Sequence, residues 1–169
     1  MNTGTQKKQE DGQNGFTVAG MVPQASGMAS EMTGTYWMGP NASVPAHVNV
    51  SDWKPGSKWE HQRVDETKAV DIAGTVIEST PPKRLVISWA RPAELADTSK
   101  HSRVTFDIEP IGDALVKLTV THEGLEKDEK MLAGISSGWP MVLSNLKSLL
   151  ERGTALPRVK METAGPVKG

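Results

Sequence analysis

Between Lys58 and Leu150 the hydrophobic repeat changes once, from every second residue to every third and fourth, and this limits the fold more than any other feature of the chain. Alternation sends successive side chains to opposite faces of a strand, whereas the longer spacing lines one face of a helix. Trp59, His61 and Arg63 form one alternating set, Ile72, Gly74 and Val76 a second, and Leu85, Ile87 and Trp89 a third. Val104, Phe106 and Ile108 follow, then Val116, Leu118, Val120 and His122. The positions between them carry Glu60, Gln62, Thr105, Asp107, Glu109, Lys117, Thr119 and Thr121, which suit water, so one face of the predicted sheet is buried.

Asp52–Gly56 and Thr80-Pro81-Pro82-Lys83 separate these runs, because proline removes a ladder donor and glycine permits positive φ. Gly112-Asp113 has the chemistry of a hairpin turn. Connections this short predict an antiparallel meander. Arg91–His101 is longer and polar, and reads as a mobile loop at the rim. After Glu123, Met131, Leu132, Ile135, Trp139, Val142, Leu143, Leu146, Leu149 and Leu150 make the apolar stripe of one amphipathic helix, which Arg152 and Gly153 close. Pro140 predicts either a kink, or a short helix ending near Ser137 with a longer one after it. Glu123–Lys130 reads as a solvated turn and helix start, with a protein-docking surface as the alternative. The class is α+β.

With 169 residues the chain has length for one domain. Residues 1–15 predict a disordered polar tail, 16–153 the domain with an atypical N-terminal part over 16–50, and 154–169 a flexible C-terminal tail. Nineteen basic against 20 acidic residues leave a formal charge of −1, so no nucleic acid is expected as a partner. The absence of cysteine excludes disulfides and thiol chemistry. No apolar run approaches the ~18 residues of a membrane span, and the polar N-terminus has no signal-peptide core, so a cytoplasmic location is the expectation. The Asn41-Ala42-Ser43 sequon reads as chance.

Four blocks carry a family resemblance: Ser51–Trp59, GTVIESTPPKRLVISWA from Gly74, SRVTFDIEPIGDALVKLTVTHEGL from Ser102, and GWPMVLSNLKSLLERG from Gly138. Over about Tyr36–Gly153 the chain resembles the activator of heat-shock protein 90 ATPase homologue-like family, within the START-like, SRPBCC or birch-pollen-allergen-like superfamily. The resemblance implies a helix-grip fold, a curved antiparallel sheet wrapped around a long C-terminal helix with a cavity between them. The N-terminal part departs from the pattern. Phe16–Val22 can supply the opening strand, but Pro23–Thr35 is Gly-rich and lacks the expected apolar positions, Tyr36-Trp37 resumes the match, and Asn41–Val48 is inserted or diverged.

No G-x-G-x-x-G follows a strand, and neither G-x-x-x-x-G-K-[ST] nor H-E-x-x-H occurs; no catalytic residue, metal or cofactor is assigned. The ligand-binding candidates are Trp59, Trp89, Phe106, Trp139, Leu143 and Leu146, with Val142, on the inward face, and His61, His122 and Arg63 as the few polar groups. Ordinary core packing and a ligand cavity both fit this set. His122 reads either as a satisfied core histidine or as a polar anchor for a guest. The expected partner is a small hydrophobic or lipid-like molecule; the family name adds a chaperone, and homodimerisation is left open. An enzyme of cyclase or hydratase type, pairing His122 with Arg63 or Glu78, is the third alternative.

Overall fold

The computed structural model describes residues 16–23, 47–126 and 128–154. The expected tail over 1–15, the diverged stretch across 24–46 with Tyr36-Trp37 and the Asn41 sequon, and the C-terminal tail from 155 lie outside the described residues. Seven strands are described: β1 Phe16–Pro23, β2 His47–Ser51, β3 Lys58–Arg63, β4 Val70–Thr80, β5 Arg84–Trp89, β6 Ser102–Ile111 and β7 Leu115–Glu123. One helix, α1, spans Glu129–Arg152. The strands form one curled antiparallel sheet in the order β1-β7-β6-β5-β4-β3-β2, with chain-adjacent strands paired from β2 to β7 and β1 added beside β7.

β4 is where the sheet bends. Its first half pairs with β3 through Lys58↔Thr75 to Gln62↔Val70, and its second half pairs with β5 through Val76↔Ile87 to Thr80↔Arg84. Gly74 stands at the changeover, where the indole of Trp59 crosses the strand and donates from Nε1 to the Ser88 carbonyl at 2.8 Å. The Ser88 hydroxyl accepts from the Thr75 backbone N–H, also at 2.8 Å. Side-chain bonds thus join β3, β4 and β5 where the pairing changes over.

The concave face holds the core: Trp59, Val76, Leu85, Ile87, Trp89, Val104, Phe106, Val116, Leu118 and Val120 from the strands, with Ile135, Trp139 and Leu146 from α1. The convex face carries ion pairs from Arg84 to Glu78 and Asp107, and from Lys117 to Glu109. The loop expected to be mobile contains two short 3-10 turns, Pro92–Glu94 and Thr98–Lys100, and Arg91 donates to Asp128 at 2.6 Å just ahead of α1. Asp128 also accepts from the Met131 N–H at 2.8 Å, which makes it the N-cap of the helix. Asp128→Ala is therefore expected to lower stability by about 1 kcal/mol, a change that urea unfolding will read.

The helix does not break at Pro140. Glu129–Arg152 is a single element of 24 residues with the proline inside it. Ile135 and Trp139 precede the proline and Leu146 follows it, and all three are buried in the same core. Each such side chain contributes roughly 1.5–3 kcal/mol, which together exceeds the ~3 kcal/mol that an interior proline costs. Gly153, with φ at +71°, closes the helix, and the Ser148 hydroxyl donates to the Thr154 carbonyl at 2.9 Å as the chain turns back.

Candidate functional site

β5, β6, β7 and α1 bring four rings together on the concave face. Trp139 lies with its centroid 5.8 Å from that of Trp89, 5.7 Å from Phe106 and 6.5 Å from His122, and Trp89 lies 5.5 Å from His122 and 5.2 Å from Trp59. Alternation along β5 to β7 places the sheet members in phase, and the helical spacing aims Trp139 at them. Leu146 is buried in the same cluster, and Val142 and Leu143 are half-buried against it.

A hydrogen-bond chain runs through the rings. Trp139 Nε1–H donates to His122 Nδ1 at 3.3 Å, so Nδ1 carries the lone pair and the proton sits on Nε2. His122 Nε2–H then donates to Ser102 Oγ at 2.8 Å, and the Ser102 hydroxyl donates to the Trp89 carbonyl at 3.1 Å. Both imidazole nitrogens are occupied from within the protein. Burial pushes the His122 pKa down to about 3, since a charged ring would have to be desolvated and would break the bond from Trp139. The indole N–H of Trp89 is the exception in this cluster: the residue is only 6% exposed, and Nε1 has no acceptor among the described residues.

His61 is placed elsewhere on the same face, two residues beyond Trp59 toward the sheet edge. It opposes Asn49 of β2 and donates from Nδ1 to Asn49 Oδ1 at 2.9 Å. His47 stacks on it with centroids 4.1 Å apart and donates from Nε2 to Asp71 at 2.8 Å. Arg63 is exposed and engages both oxygens of Asp71, at 2.9 and 3.1 Å from Nε, which together with His47 holds the Asp71 pKa down to about 2. Burial, then the neighbouring His47, lowers the His61 pKa to about 4.

The acid–base pairing of His122 with Arg63 or Glu78 is not formed. Glu78 opposes Val86 on the convex face and is bound by Arg84, Arg63 is bound by Asp71, and His122 is bound by Ser102 and Trp139. A G-x-S-x-G match occurs at Gly134-Ile135-Ser136-Ser137-Gly138, but it lies inside α1 and not on the strand-to-helix turn that exposes a nucleophile. Among the described residues no group of three histidine or acidic side chains is placed to hold a metal, and no described helix is long and apolar enough to cross a membrane.

Ser102, Asn49 and His47 are the site residues that sequence reasoning missed. Ser102 is in phase with Val104 and Phe106, and that phase was the available signal. Asn49 and His47 had none, because the strand that carries them, β2, turns its polar residues inward.

The two buried histidines predict acid sensitivity. Both folded-state pKa values lie below the ordinary 6.5, so below that pH the unfolded chain binds protons that the folded chain does not. Stability should fall as pH drops from about 6.5 toward 4, by up to about 1.4 kcal/mol per pH unit for each ring. Asp71 adds its loss only below its ordinary 3.8, outside most of that window. Urea midpoints between about pH 7 and 4.5 test this, and His122→Asn, whatever its stability near pH 7, should show a shallower slope.

Comparison with known proteins adds family and fold. The profile of Activator of Hsp90 ATPase homolog 1-like proteins matches residues 29–151. No curated protein matches the chain in sequence. Among solved structures, CalU16 from Micromonospora echinospora is similar at 21% identity with a TM-score of 0.58, covering 85% of this chain and 77% of that one. A protein of Cytophaga hutchinsonii gives 21% and 0.57, covering 82% and 94%. An Hsp90 activator from Plasmodium falciparum gives 18% and 0.56, covering 81% and 96%. Identities this low carry the helix-grip fold and leave activity open. Because the family profile spans most of the chain and the sheet, helix and inward face take the arrangement that family implies, the chain belongs to the Activator of Hsp90 ATPase homolog 1-like family.

Proposed function

We propose that the chain is a binding module that holds a small hydrophobic or lipid-like molecule between the concave face of the sheet and α1, against Trp59, Trp89, Phe106, Trp139, Leu143 and Leu146. The observation that carries this reading is the indole N–H of Trp89, buried among aromatic rings with no acceptor among the described residues. A donor left unsatisfied in an apolar interior costs about 1–3 kcal/mol, and a guest that brings one acceptor into the cluster recovers that energy. The guest is thus mainly apolar, with an oxygen or nitrogen lone pair placed for Trp89. His122 orients Trp139 in this scheme and does not contact the guest, because both its nitrogens are engaged.

The test is a titration of fatty acids, sterols and polyaromatic ketones against intrinsic tryptophan fluorescence, with thermal stability read in parallel. A saturable change with a raised Tm is expected for at least one class, and Trp89→Phe should weaken that ligand about ten-fold. A folded protein that answers to none of them, in fluorescence or in Tm, sinks the reading.

The family and the similarity to the Plasmodium activator favour a second reading, in which the outer surface stimulates the ATPase of a heat-shock protein 90 type chaperone. The two separate in one assay. Surface reversals such as Lys117→Glu should leave ligand binding intact and would abolish a chaperone effect that depended on the convex face.

A further inference from the structure

At the edge of the concave face, beyond Trp59, the sheet carries a second unsatisfied polar group. Asn49 is 6% exposed and His61 is 8% exposed, and the two oppose each other directly across β2 and β3. The Asn49 carbonyl oxygen accepts from His61 Nδ1, which uses the ring's one proton and leaves Nε2 as a lone-pair acceptor. The Asn49 amide nitrogen is buried with no partner among the described residues. The pair therefore presents one open donor and one open acceptor. Rotating the Asn49 amide by half a turn exchanges the two roles and still leaves one of each.

The surroundings keep this pair neutral. Burial opposes protonation of His61 most, and His47, stacked against the ring, closes that side and opposes it further. Arg63, the neighbouring cation on this face, has both Nε and Nη2 on Asp71, so its charge is already matched. A carboxylate brought here finds no unmatched cation among the described residues of this face and has no proton to give the acceptor, and its own desolvation goes uncompensated. A carboxamide or a hydroxyl supplies a donor and an acceptor together.

We propose that Asn49 and His61 are the head-group site of the guest, and that they select a neutral group carrying both a donor and an acceptor, a carboxamide or hydroxyl, over a carboxylate. The inference rests on the concave face being the guest site and adds the chemical class of the guest's polar end. With Trp59 and Trp89 receiving the body, the guest is an amphipathic neutral molecule and not a free fatty acid.

The experiment compares three probes of one shape, benzamide, benzoate and toluene, titrated near pH 7 into the full chain and followed by 1H–15N spectra. Benzamide should bind about ten-fold tighter than benzoate, the scale of one or two net hydrogen bonds. Asn49→Leu should remove that advantage while leaving toluene affinity within about two-fold. This variant exchanges the unpaired amide donor for an unpaired His61 ring N–H, so its spectrum must first show a folded protein, and His61→Phe gives the same reading from the other partner. Benzoate binding as tightly as benzamide, or benzamide affinity unchanged in both variants, overturns the head-group assignment while toluene binding still upholds the apolar site. Failure of all three probes to bind overturns both.

Discussion

Gly74→Ala should destabilise the protein by on the order of 3 kcal/mol or more, and at 37 °C the variant is expected to be largely insoluble or unfolded. A Cβ at this position overlaps the Ser88 carbonyl oxygen and sits 2.7 Å from both the Ser88 carbonyl carbon and Trp59 Nε1. Neither neighbour has room to give. Ser88 belongs to β5, which is held to β6 through Ser88↔Arg103, and Trp59 is wholly buried. The added methyl must break the bond from the Trp59 indole to Ser88, which orphans a buried N–H as well as straining the bend. Gly134→Ala is the control. Gly134 lies within α1 with nothing near the added carbon, so that change should raise stability by about 0.5–1 kcal/mol. Equal effects from the two substitutions in urea unfolding would refute the packing assigned to the bend.

Trp139→Ala should cost about 3–5 kcal/mol, the range for deleting a buried indole. Trp139 is 3% exposed, touches rings on three strands, and supplies the only side-chain donor to His122 Nδ1 among the described residues. Trp139→Phe separates the two roles, because it keeps most of the apolar area and removes the N–H. It should cost about 1–3 kcal/mol, and it should raise the pH at which His122 titrates, since Nδ1 no longer has to give up a bond to take a proton. A Phe variant as damaging as the Ala variant would mean that the bond outweighs the packing.

The sheet from β3 to β7 and the helix were legible because one face of each is buried and the repeat records that face. The alternating sets around Trp59, Ile87, Phe106 and Val120 fall inward as expected, and Phe16–Pro23 is the strand that the family resemblance called for. β2 was not legible. It buries Asn49 and leaves Val50 47% exposed, so its hydrophobic pattern is inverted and any reading by alternation points the wrong way. The sequence left one helix or two open at Pro140 for a different reason: the proline is a local penalty, while the burial of Ile135, Trp139 and Leu146 that overrides it is a tertiary effect. Candidate site residues were identified by face and not by partner. Periodicity put His61 and His122 inward, but nothing in the sequence says that Ser102 and Trp139 satisfy one while Asn49 pairs with the other.

The indole region of the 1H–15N spectrum, with the Trp89 cross-peak assigned from Trp89→Phe, tests the central claim most directly. Titrated with a ligand that raises Tm, the Trp89 N–H resonance should move downfield saturably as it gains an acceptor, while that of Trp59, already bonded to Ser88, moves little. A ligand that stabilises the protein yet leaves the Trp89 resonance in place would show that the guest binds elsewhere and that the concave face is simply a packed core.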